Sequence, residues 1–139
     1  METNKILRER RKPLANLPES AAQAWENREG PVVFTTVDSK RVPNSIYVTW
    51  VKKISGDRMV IADNKMNKTR ANIIAGSAAS LLYITKEKKA FQLKGSLEYQ
   101  TSGEIFDEMK NGWLDKKYPG HAAVVFHIEE VYSGAEKLA

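Results

Sequence analysis

Short runs of β-branched and aromatic residues, separated by turns of a few residues, are the feature that most restricts how this chain can fold. Such runs with alternating polarity are typical of half-buried strands. Most connections are too short for crossover helices, so neighbouring strands must be mostly antiparallel. The predicted strands lie at residues 32–37, 44–53, 58–62, 79–85, 90–100 and 122–131. Six strands of this kind close readily into a small barrel, which predicts a mainly β fold with short helices.

The first three predicted strands read as a meander, and the fifth strand has the clearest alternation. Its apolar residues share one face: Phe91, Leu93, Leu97 and Tyr99. Gly95 falls on the same face, which predicts a bend or a bulge at that position. In the last strand His127 alternates with inward-pointing apolar residues, so we expect it to face solvent or an interface.

Three short helices are predicted around these strands. The first covers residues 18–27, and the second covers 68–75, between an asparagine N-cap and a C-terminal glycine. The third follows Thr101, which forms a capping-box pattern with Glu104. Its apolar residues recur at helical spacing: Ile105, Phe106, Met109 and Trp113.

The absence of cysteine removes several kinds of functional site. With no cysteine, disulfides, thiol nucleophiles, zinc–thiolate sites and iron–sulfur clusters are excluded. Only His121 and His127 carry imidazoles, so we expect no protein-bound transition metal. No apolar run approaches the ~18 residues that a membrane span needs, and the N-terminus lacks the apolar stretch of a secretory signal. A cytoplasmic protein without a membrane span is therefore expected.

The charge distribution suggests two parts and an anionic partner. The sequence has 22 lysines and arginines against 17 acidic residues, a formal net charge of +5. Basic residues crowd the first dozen positions, which predicts a basic arm at 1–17 and, in a chain of 139 residues, a single domain at 18–139. The excess charge favours a nucleic acid, a membrane surface or a phosphorylated small molecule as partner.

Common catalytic motifs are missing from the sequence. It contains no Gly-x-Ser-x-Gly elbow, no P-loop and no dinucleotide-binding glycine pattern. The carboxylates are scattered, which disfavours a hydrolase built on paired acids. The residues therefore nominate no catalytic acid, base or nucleophile.

The polar segment 63–72 is the best candidate for a binding site. It leaves a strand and enters the second predicted helix, where backbone amides lack intrahelical acceptors and the helix dipole is positive. Lys68 adds a full charge, Thr69 a hydroxyl donor, and Lys65 and Arg70 further positive field. This combination suits a phosphate monoester. An ordinary solvent-facing helix start with a capping asparagine is the alternative.

The order of several motifs resembles a known family. The motifs are, in order, Pro43-Asn44-Ser45, a glycine-containing hairpin, Asp63, Lys68-Thr69-x-x-Asn72, Phe91-Gln92-Leu93-Lys94-Gly95-Ser96 and Thr101-Ser102-Gly103. Over about residues 31–132 the chain is similar to the FMN-binding split β-barrel proteins, the pyridoxamine 5'-phosphate oxidase-like flavoproteins. The resemblance implies a six-stranded antiparallel split β-barrel and a homodimer that holds FMN between its subunits.

The resemblance also implies roles for individual residues. Lys68 and Thr69 would bind the FMN phosphate, and Asn72 would hold the turn or contact the phosphate side. The residues implied along the ring and ribityl chain are Ser45, Ile46 and Tyr47, and those implied at the pyrimidine edge, through backbone groups, are Ile61, Ala62 and Asp63.

Three further residues, Asn44, Asn67 and Trp113, complete the candidate site. Asn67 belongs to the amide-rich polar turn, and Asn44 lies on a strand that can pair beside that turn. An apolar slot for the flavin ring needs aromatic walls, for which Trp50, Trp113 and Tyr47 are candidates, including from the partner subunit. Plain core packing is the alternative for each of these aromatic residues.

The implied function is a dimeric FMN flavoprotein, an FMN-dependent oxidoreductase or electron-transfer protein with a small-molecule or protein redox partner. Residues 133–139 show no counterpart of the arginine- and histidine-rich substrate site of the true oxidase, so pyridoxamine phosphate oxidation is not expected. One alternative is a nucleic-acid-binding small β-barrel, which the pI near 9.4 favours but the strand faces do not. The other is a haem-handling split-barrel protein with His121 as axial ligand.

Overall fold

A computed structural model describes residues 12–139, so most of the predicted basic arm lies outside the described residues. The elements in chain order are α1 (Glu19–Glu26), β1 (Val32–Val37), β2 (Pro43–Val48), β3 (Val51–Ser55), β4 (Arg58–Asp63), α2 (Lys68–Ile74), β5 (Ala79–Ile84), β6 (Ala90–Gln100), α3 (Glu104–Glu108), a π-helical turn (Met109–Trp113), β7 (Ala122–Ser133) and β8 (Glu136–Lys137). In residues 12–139 no helix is long and apolar enough to cross a membrane.

All eight strands belong to one antiparallel sheet that curls on itself. The strand order is β2-β1-β5-β6-β7-β4-β3, and β8 pairs with β7. β2 and β3 stand at opposite ends of this order, although only Thr49 and Trp50 separate them in the chain. Both ends can be reached by consecutive strands only if the sheet curves until its ends meet. The fold is therefore the predicted mainly β, antiparallel split barrel.

The predicted strand at 44–53 is two strands in the structure. The Val51 N–H donates to the carbonyl oxygen of Thr49 at 3.1 Å, and this three-residue turn interrupts the extended backbone. β2 pairs with β1 and β3 pairs with β4, so the neighbours in the predicted meander are correct while its middle strand is bent. With the short β8, the sheet has eight strands, and the prediction of six was too low.

Two apolar clusters cover the two faces of β4 and β7. Fully buried members of the larger cluster are Phe34, Met59, Ile61, Leu81, Leu93, Val124, Phe126 and Ile128. The buried members of the smaller cluster are Val60, Ala62, Met109, Leu114, Ala123 and Val125. Successive residues of a strand point to opposite faces, so covering both faces of β4 explains its continuous apolar run.

Gly95 lies at a bulge, as predicted. Lys94 faces Glu130 but Gly95 faces Ile128, so β7 has one extra residue between these pairs. A Cβ atom on residue 95 would lie 1.9 Å from the backbone oxygen of His127. Only glycine allows the two backbones to approach this closely.

The third helix differs from its prediction at both ends. Gly103, with φ of 103°, precedes α3, and no side chain caps the helix. The capping box with Thr101 as the cap is therefore wrong, because the positive φ moves the helix start past that residue. Beyond Glu108 the chain widens into a π-helical turn, in which the Leu114 N–H donates to the Met109 oxygen at 3.0 Å.

His127 is buried, so the expectation that it faces solvent is wrong. Only 6% of this residue is exposed, and its Nε2 lies 2.7 Å from Glu98 Oε1. His127 lies on the face of β7 that also carries Ala123 and Val125 of the smaller apolar cluster. The segment before α1 bonds to the sheet next to it, where the Ala15 N–H donates to the Ile128 oxygen at 2.9 Å. The Leu17 N–H likewise donates to the Gly56 carbonyl oxygen at 2.7 Å. The division of the chain into an arm at 1–17 and a domain at 18–139 stays a prediction.

Candidate functional site

A cavity of about 550 Å³ lies between β2, the loop 64–67 and the start of α2. β2 ends the strand order, and its outer edge pairs with no other strand of residues 12–139. Backbone N–H and C=O groups on that edge are therefore available to a ligand. The lining residues are Asn44, Ile46, Tyr47, Val48, Thr49, Trp50, Ala62, Asn64, Lys65, Met66, Asn67, Lys68, Thr69 and Tyr118.

The structure brings seven of the twelve sequence-predicted site residues to this cavity. These seven are Asn44, Ile46, Tyr47, Ala62, Asn67, Lys68 and Thr69. The five that do not line it are Ser45, Ile61, Asp63, Asn72 and Trp113. On β4 the two sets separate by strand face, since Ala62 lines the cavity whereas Ile61 and Asp63 point to the opposite side.

One end of the cavity is polar and cationic. Thr69 is buried, and its hydroxyl oxygen accepts a hydrogen bond from the Asn44 amide at 3.0 Å, so its own proton remains to be donated. Lys65 and Lys68 are exposed, and neither is among the ion-paired lysines of residues 12–139. Because α2 has only seven residues, the two ammonium groups contribute more positive potential here than its dipole does. This end suits an anion.

Asp63 holds the loop that forms the floor of this end. Its fully buried carboxylate accepts hydrogen bonds from Arg70 Nε at 2.7 Å, Arg70 Nη2 at 3.0 Å and Tyr99 Oη at 2.6 Å. A fourth bond comes from the Met66 N–H at 3.0 Å. The side chain is fully engaged, so it fixes the loop 64–67 and does not face the cavity. Arg70 is likewise bonded to Asp63 and does not line the cavity.

The same contacts shift the pKa of the Asp63 carboxyl. Burial alone raises this pKa, but the hydrogen bonds from Arg70, Tyr99 and the Met66 N–H, together with the Arg70 charge, outweigh burial and lower it. For Tyr99, burial together with the nearby carboxylate raises the pKa to about 12. The network is therefore a carboxylate held by a cation and a neutral phenol.

The other predicted residues outside the cavity have structural partners. The Ser45 hydroxyl lies 2.7 Å from that of Thr35 on the neighbouring strand. The Asn72 amide donates to the Thr36 hydroxyl at 3.0 Å and so ties α2 to β1. Ile61 belongs to the larger apolar cluster. Trp113 packs against the smaller apolar cluster. This position agrees with the alternative given for this residue, that it packs in the core.

Several residues that line the cavity were not among the sequence-predicted site residues. Tyr118 is the one that lies farthest along the chain from the other lining residues. It follows the π-helical turn and packs on Trp50, with ring centroids 5.5 Å apart. The sequence signal is slight: a tyrosine directly before Pro119 and Gly120 stands at a turn. Which cavity such a turn approaches is decided only by the packing of the segment 109–118 on β4 and β7.

His121 is exposed and follows the same turn. Its backbone N–H donates to the Asp63 carbonyl oxygen at 2.8 Å, and the residue does not line the cavity. Within residues 12–139 there is no cluster of three or more acidic, histidine or cysteine side chains that could hold a metal ion.

A family profile described as pyridoxamine 5'-phosphate oxidase matches residues 18–135. The chain belongs to this family. A relative in Methanocaldococcus jannaschii, the uncharacterized protein MJ0282, is 31% identical over 126 residues, which cover 86% of this chain and 82% of the relative. The family resemblance drawn from the motif order is thereby confirmed.

Two solved structures illustrate the range of proteins with this fold. An FMN-binding protein from Syntrophomonas wolfei subsp. wolfei superposes with a TM-score of 0.73 at 21% identity, covering 97% of this chain and 92% of that protein. HutZ from Vibrio cholerae, a heme storage protein, superposes with a TM-score of 0.63 at 12% identity, covering 86% of this chain and 95% of that protein. At these identities the two structures establish the shared fold alone.

Proposed function

We propose that this protein binds FMN in the cavity at β2 and α2 and acts as an FMN-dependent oxidoreductase or electron-transfer protein. The observation that carries the proposal is that one cavity is lined both by cationic side chains, Lys65 and Lys68, and by aromatic side chains, Trp50 and Tyr118. FMN combines the two matching groups, a phosphate dianion and a planar ring. Membership of the pyridoxamine 5'-phosphate oxidase family supports the same cofactor.

The residues present fit this cofactor. Lys68, the Thr69 hydroxyl and Asn67 would hold the phosphate, and the open edge of β2 would offer backbone groups to the ribityl chain and to the polar edge of the ring. When bound, the flavin supplies the capacity to accept and return electrons or hydride. The chain's own part is to bind it, to orient it and to shield one side of it from water.

Loss of the Lys68 ammonium tests the phosphate end. Lys68→Ala should weaken FMN binding by about 1–3 kcal/mol, roughly five- to 150-fold in Kd, because a charge-assisted hydrogen bond is lost. Thr69→Val should cost less. Isothermal titration calorimetry measures both. Lys52→Ala removes another exposed lysine, on β3, that does not line the cavity, and it should leave the Kd unchanged.

Riboflavin sharpens this test because it has the same ring and ribityl chain without the phosphate. Lys68→Ala should leave riboflavin affinity nearly unchanged. Equal losses for FMN and riboflavin would show that the phosphate lies elsewhere. A wild-type protein that binds neither compound, in calorimetry or in the visible spectrum, would refute FMN as the cofactor.

The two rival functions give different signals in the same material. Bound haem would appear as a Soret band, and its loss in His121→Ala would identify the axial ligand proposed from the sequence. A nucleic-acid-binding barrel would bind single strands with a steep dependence on salt concentration. If the protein does not bind FMN, a Soret band would favour the haem-binding function, and salt-dependent binding of single strands would favour the nucleic-acid-binding function.

A homodimer is the assembly that we propose. Tyr47, Val33 and Leu82 form a row across β2, β1 and β5, since they are direct cross-strand partners. Tyr47 is 75% exposed and Leu82 is 40% exposed, and Tyr47 also lines the cavity. This apolar row is continuous with the cavity, so a second copy that covers the row would also help to enclose the cofactor.

Leu82→Glu should therefore shift the protein from dimer to monomer in sedimentation velocity at micromolar concentration, because it places a charge in an apolar interface. Ile74→Glu is the matched control, since Ile74 is exposed (67%) but lies on α2 and is not part of the row. A wild-type monomer at all concentrations, with or without FMN, would contradict the homodimer.

A further inference from the structure

A second cavity, of about 470 Å³, lies on the face of the sheet that carries His127. Its walls come from the segment before α1, the β3–β4 turn, the strands β4, β6 and β7, and α3. Among the described residues, none lines both this cavity and the one proposed for FMN. A ligand bound here would therefore touch none of the residues that line the FMN cavity.

The floor of the second cavity is polar although it is buried. His127 and Glu98 line the cavity and contact each other, and Ser96 is the direct cross-strand partner of His127. Within the described part of the chain, His127 Nδ1 and Ser96 Oγ are buried and have no hydrogen-bond partner. An apolar residue would leave no unpaired polar atom here, as Val125 shows on the same face, so packing alone does not account for these residues. A polar floor of this kind is instead typical of a binding surface.

Arg58 and Asp57 place opposite charges side by side at this cavity. Arg58 Nε lies 3.8 Å from Asp57 Oδ1 and donates to the Ser55 hydroxyl oxygen at 3.3 Å. Ser55 in turn donates to Asp57 Oδ1 at 2.8 Å. In residues 12–139 no hydrogen bond uses the two terminal nitrogens of Arg58 or the second carboxylate oxygen of Asp57. Each charged group is thus held through one atom, and its remaining atoms are available to a ligand.

This pair matches the two charged groups of an α-amino acid. A guanidinium group binds a carboxylate through two parallel hydrogen bonds, and a carboxylate accepts hydrogen bonds from an ammonium group. Because one carbon joins the two groups of an α-amino acid, its receptor needs opposite charges that are adjacent, as those of Arg58 and Asp57 are. A simple anion would meet the carboxylates of Asp57 and Glu98, and a simple cation would meet Arg58.

Three aliphatic side chains complete the lining that a ligand would contact. Val125 is buried on β7, Ile105 is half-buried on α3, and Leu14 is exposed in the segment before α1. They belong to segments far apart in the chain and share only their aliphatic character. Burial of an apolar side chain against them is favourable, so the cavity suits an amino acid whose side chain is aliphatic.

We propose that this cavity binds a free aliphatic α-amino acid, with its carboxylate on Arg58, its ammonium group on Asp57 and its side chain against Leu14, Ile105 and Val125. This is a second binding function of the chain, and it does not rest on the proposed FMN site.

L-Leucine and its analogues test the two charged contacts. Leucine should bind with a Kd below about 1 mM, measured by NMR titration at pH 7. 4-Methylpentanoate lacks the ammonium group and 3-methylbutylamine lacks the carboxylate. Each should bind at least about tenfold more weakly than leucine, because one charge-assisted contact is lost. Glycine should also bind more weakly, because it has no side chain to contact the aliphatic residues.

Substitutions assign each charge to its contact. Arg58→Gln should raise the Kd of leucine about tenfold and remove its advantage over 3-methylbutylamine, which has no carboxylate to lose. Asp57→Asn should likewise remove the advantage over 4-methylpentanoate. Arg41→Gln is the matched control, since Arg41 is exposed in the β1–β2 turn and lies outside the cavity, and it should leave the Kd unchanged. Either charge variant tests the site if the other fails to fold, as judged by its circular dichroism melting curve.

Methyl chemical shifts locate the bound amino acid. Leucine should shift the methyl resonances of Leu14, Ile105 and Val125 and leave those of Ile46 and Val48 unchanged, since the last two line the FMN cavity. Shifts confined to Ile46 and Val48 would place leucine in that cavity and overturn the second site. No saturable binding up to about 10 mM leucine, or equal affinity in the wild type and both charge variants, would also overturn it. None of these results depends on whether the protein binds FMN.

Discussion

Asp63→Ala should lower the free energy of unfolding by about 2–4 kcal/mol. The substitution removes the acceptor of four hydrogen bonds and leaves the Arg70 guanidinium, the Tyr99 hydroxyl and the Met66 N–H without their partner. Arg70 is one-third exposed (35%), so it can recover some hydration, which keeps the loss below that of a fully buried ion pair. Urea unfolding at pH 7 measures the change.

An exposed aspartate provides the control for this prediction. Asp107→Ala removes a carboxylate from the first turn of α3 and should cost less than about 1 kcal/mol. The loop 64–67 lines the cavity and is held by Asp63, so Asp63→Ala should also weaken FMN binding. A stability loss in Asp63→Ala no larger than that in Asp107→Ala would show that the buried network contributes little.

The pKa of Asp63 also predicts how stability depends on pH. Because this pKa is lower in the folded protein than in the unfolded chain, the carboxylate's contribution is complete above the unfolded value of about 3.9. The contribution is lost as the pH falls below that value and through the folded-state pKa. Asp63→Asn should flatten the acid limb of the unfolding free energy plotted against pH. An unchanged slope below about pH 4 would contradict the assignment.

Gly95→Ala is the second substitution with a large expected effect, a loss of about 3 kcal/mol in the free energy of unfolding. The new methyl group would lie 1.9 Å from the backbone oxygen of His127, and neither strand can move without disturbing the ladder between β6 and β7. Thermal unfolding followed by circular dichroism measures the loss.

Gly112→Ala is the matched control for Gly95→Ala. A Cβ atom on residue 112 meets no atom within 4 Å, and its φ is not in the left-handed region. Its effect should lie within about 1 kcal/mol of zero and can be stabilising, since alanine restricts the unfolded chain. Similar melting temperatures for the two variants would mean that the bulge can widen at little cost.

The elements that could be predicted from the sequence are those controlled by local patterns. Strand alternation predicted the positions of the strands, and Gly95 predicted the bulge, because both depend on neighbours along the chain. The break at Thr49 and the π-helical turn were not predicted. Both occur where the curvature of the whole sheet, or packing on its outer face, overrides a locally continuous pattern.

The candidate site also has features that local sequence predicts and features that depend on the whole fold. The sequence by itself determined the polar turn after β4, with Lys68 and Thr69, because one short segment supplies the charge, the hydroxyl and the helix start. Only the tertiary structure decided that Asp63 binds Tyr99, that His127 is buried, and that Tyr118 meets Trp50. The physical reason is that these relations join segments far apart in the chain, whose distances and burial are set by the closure of the sheet and by the packing of both of its faces.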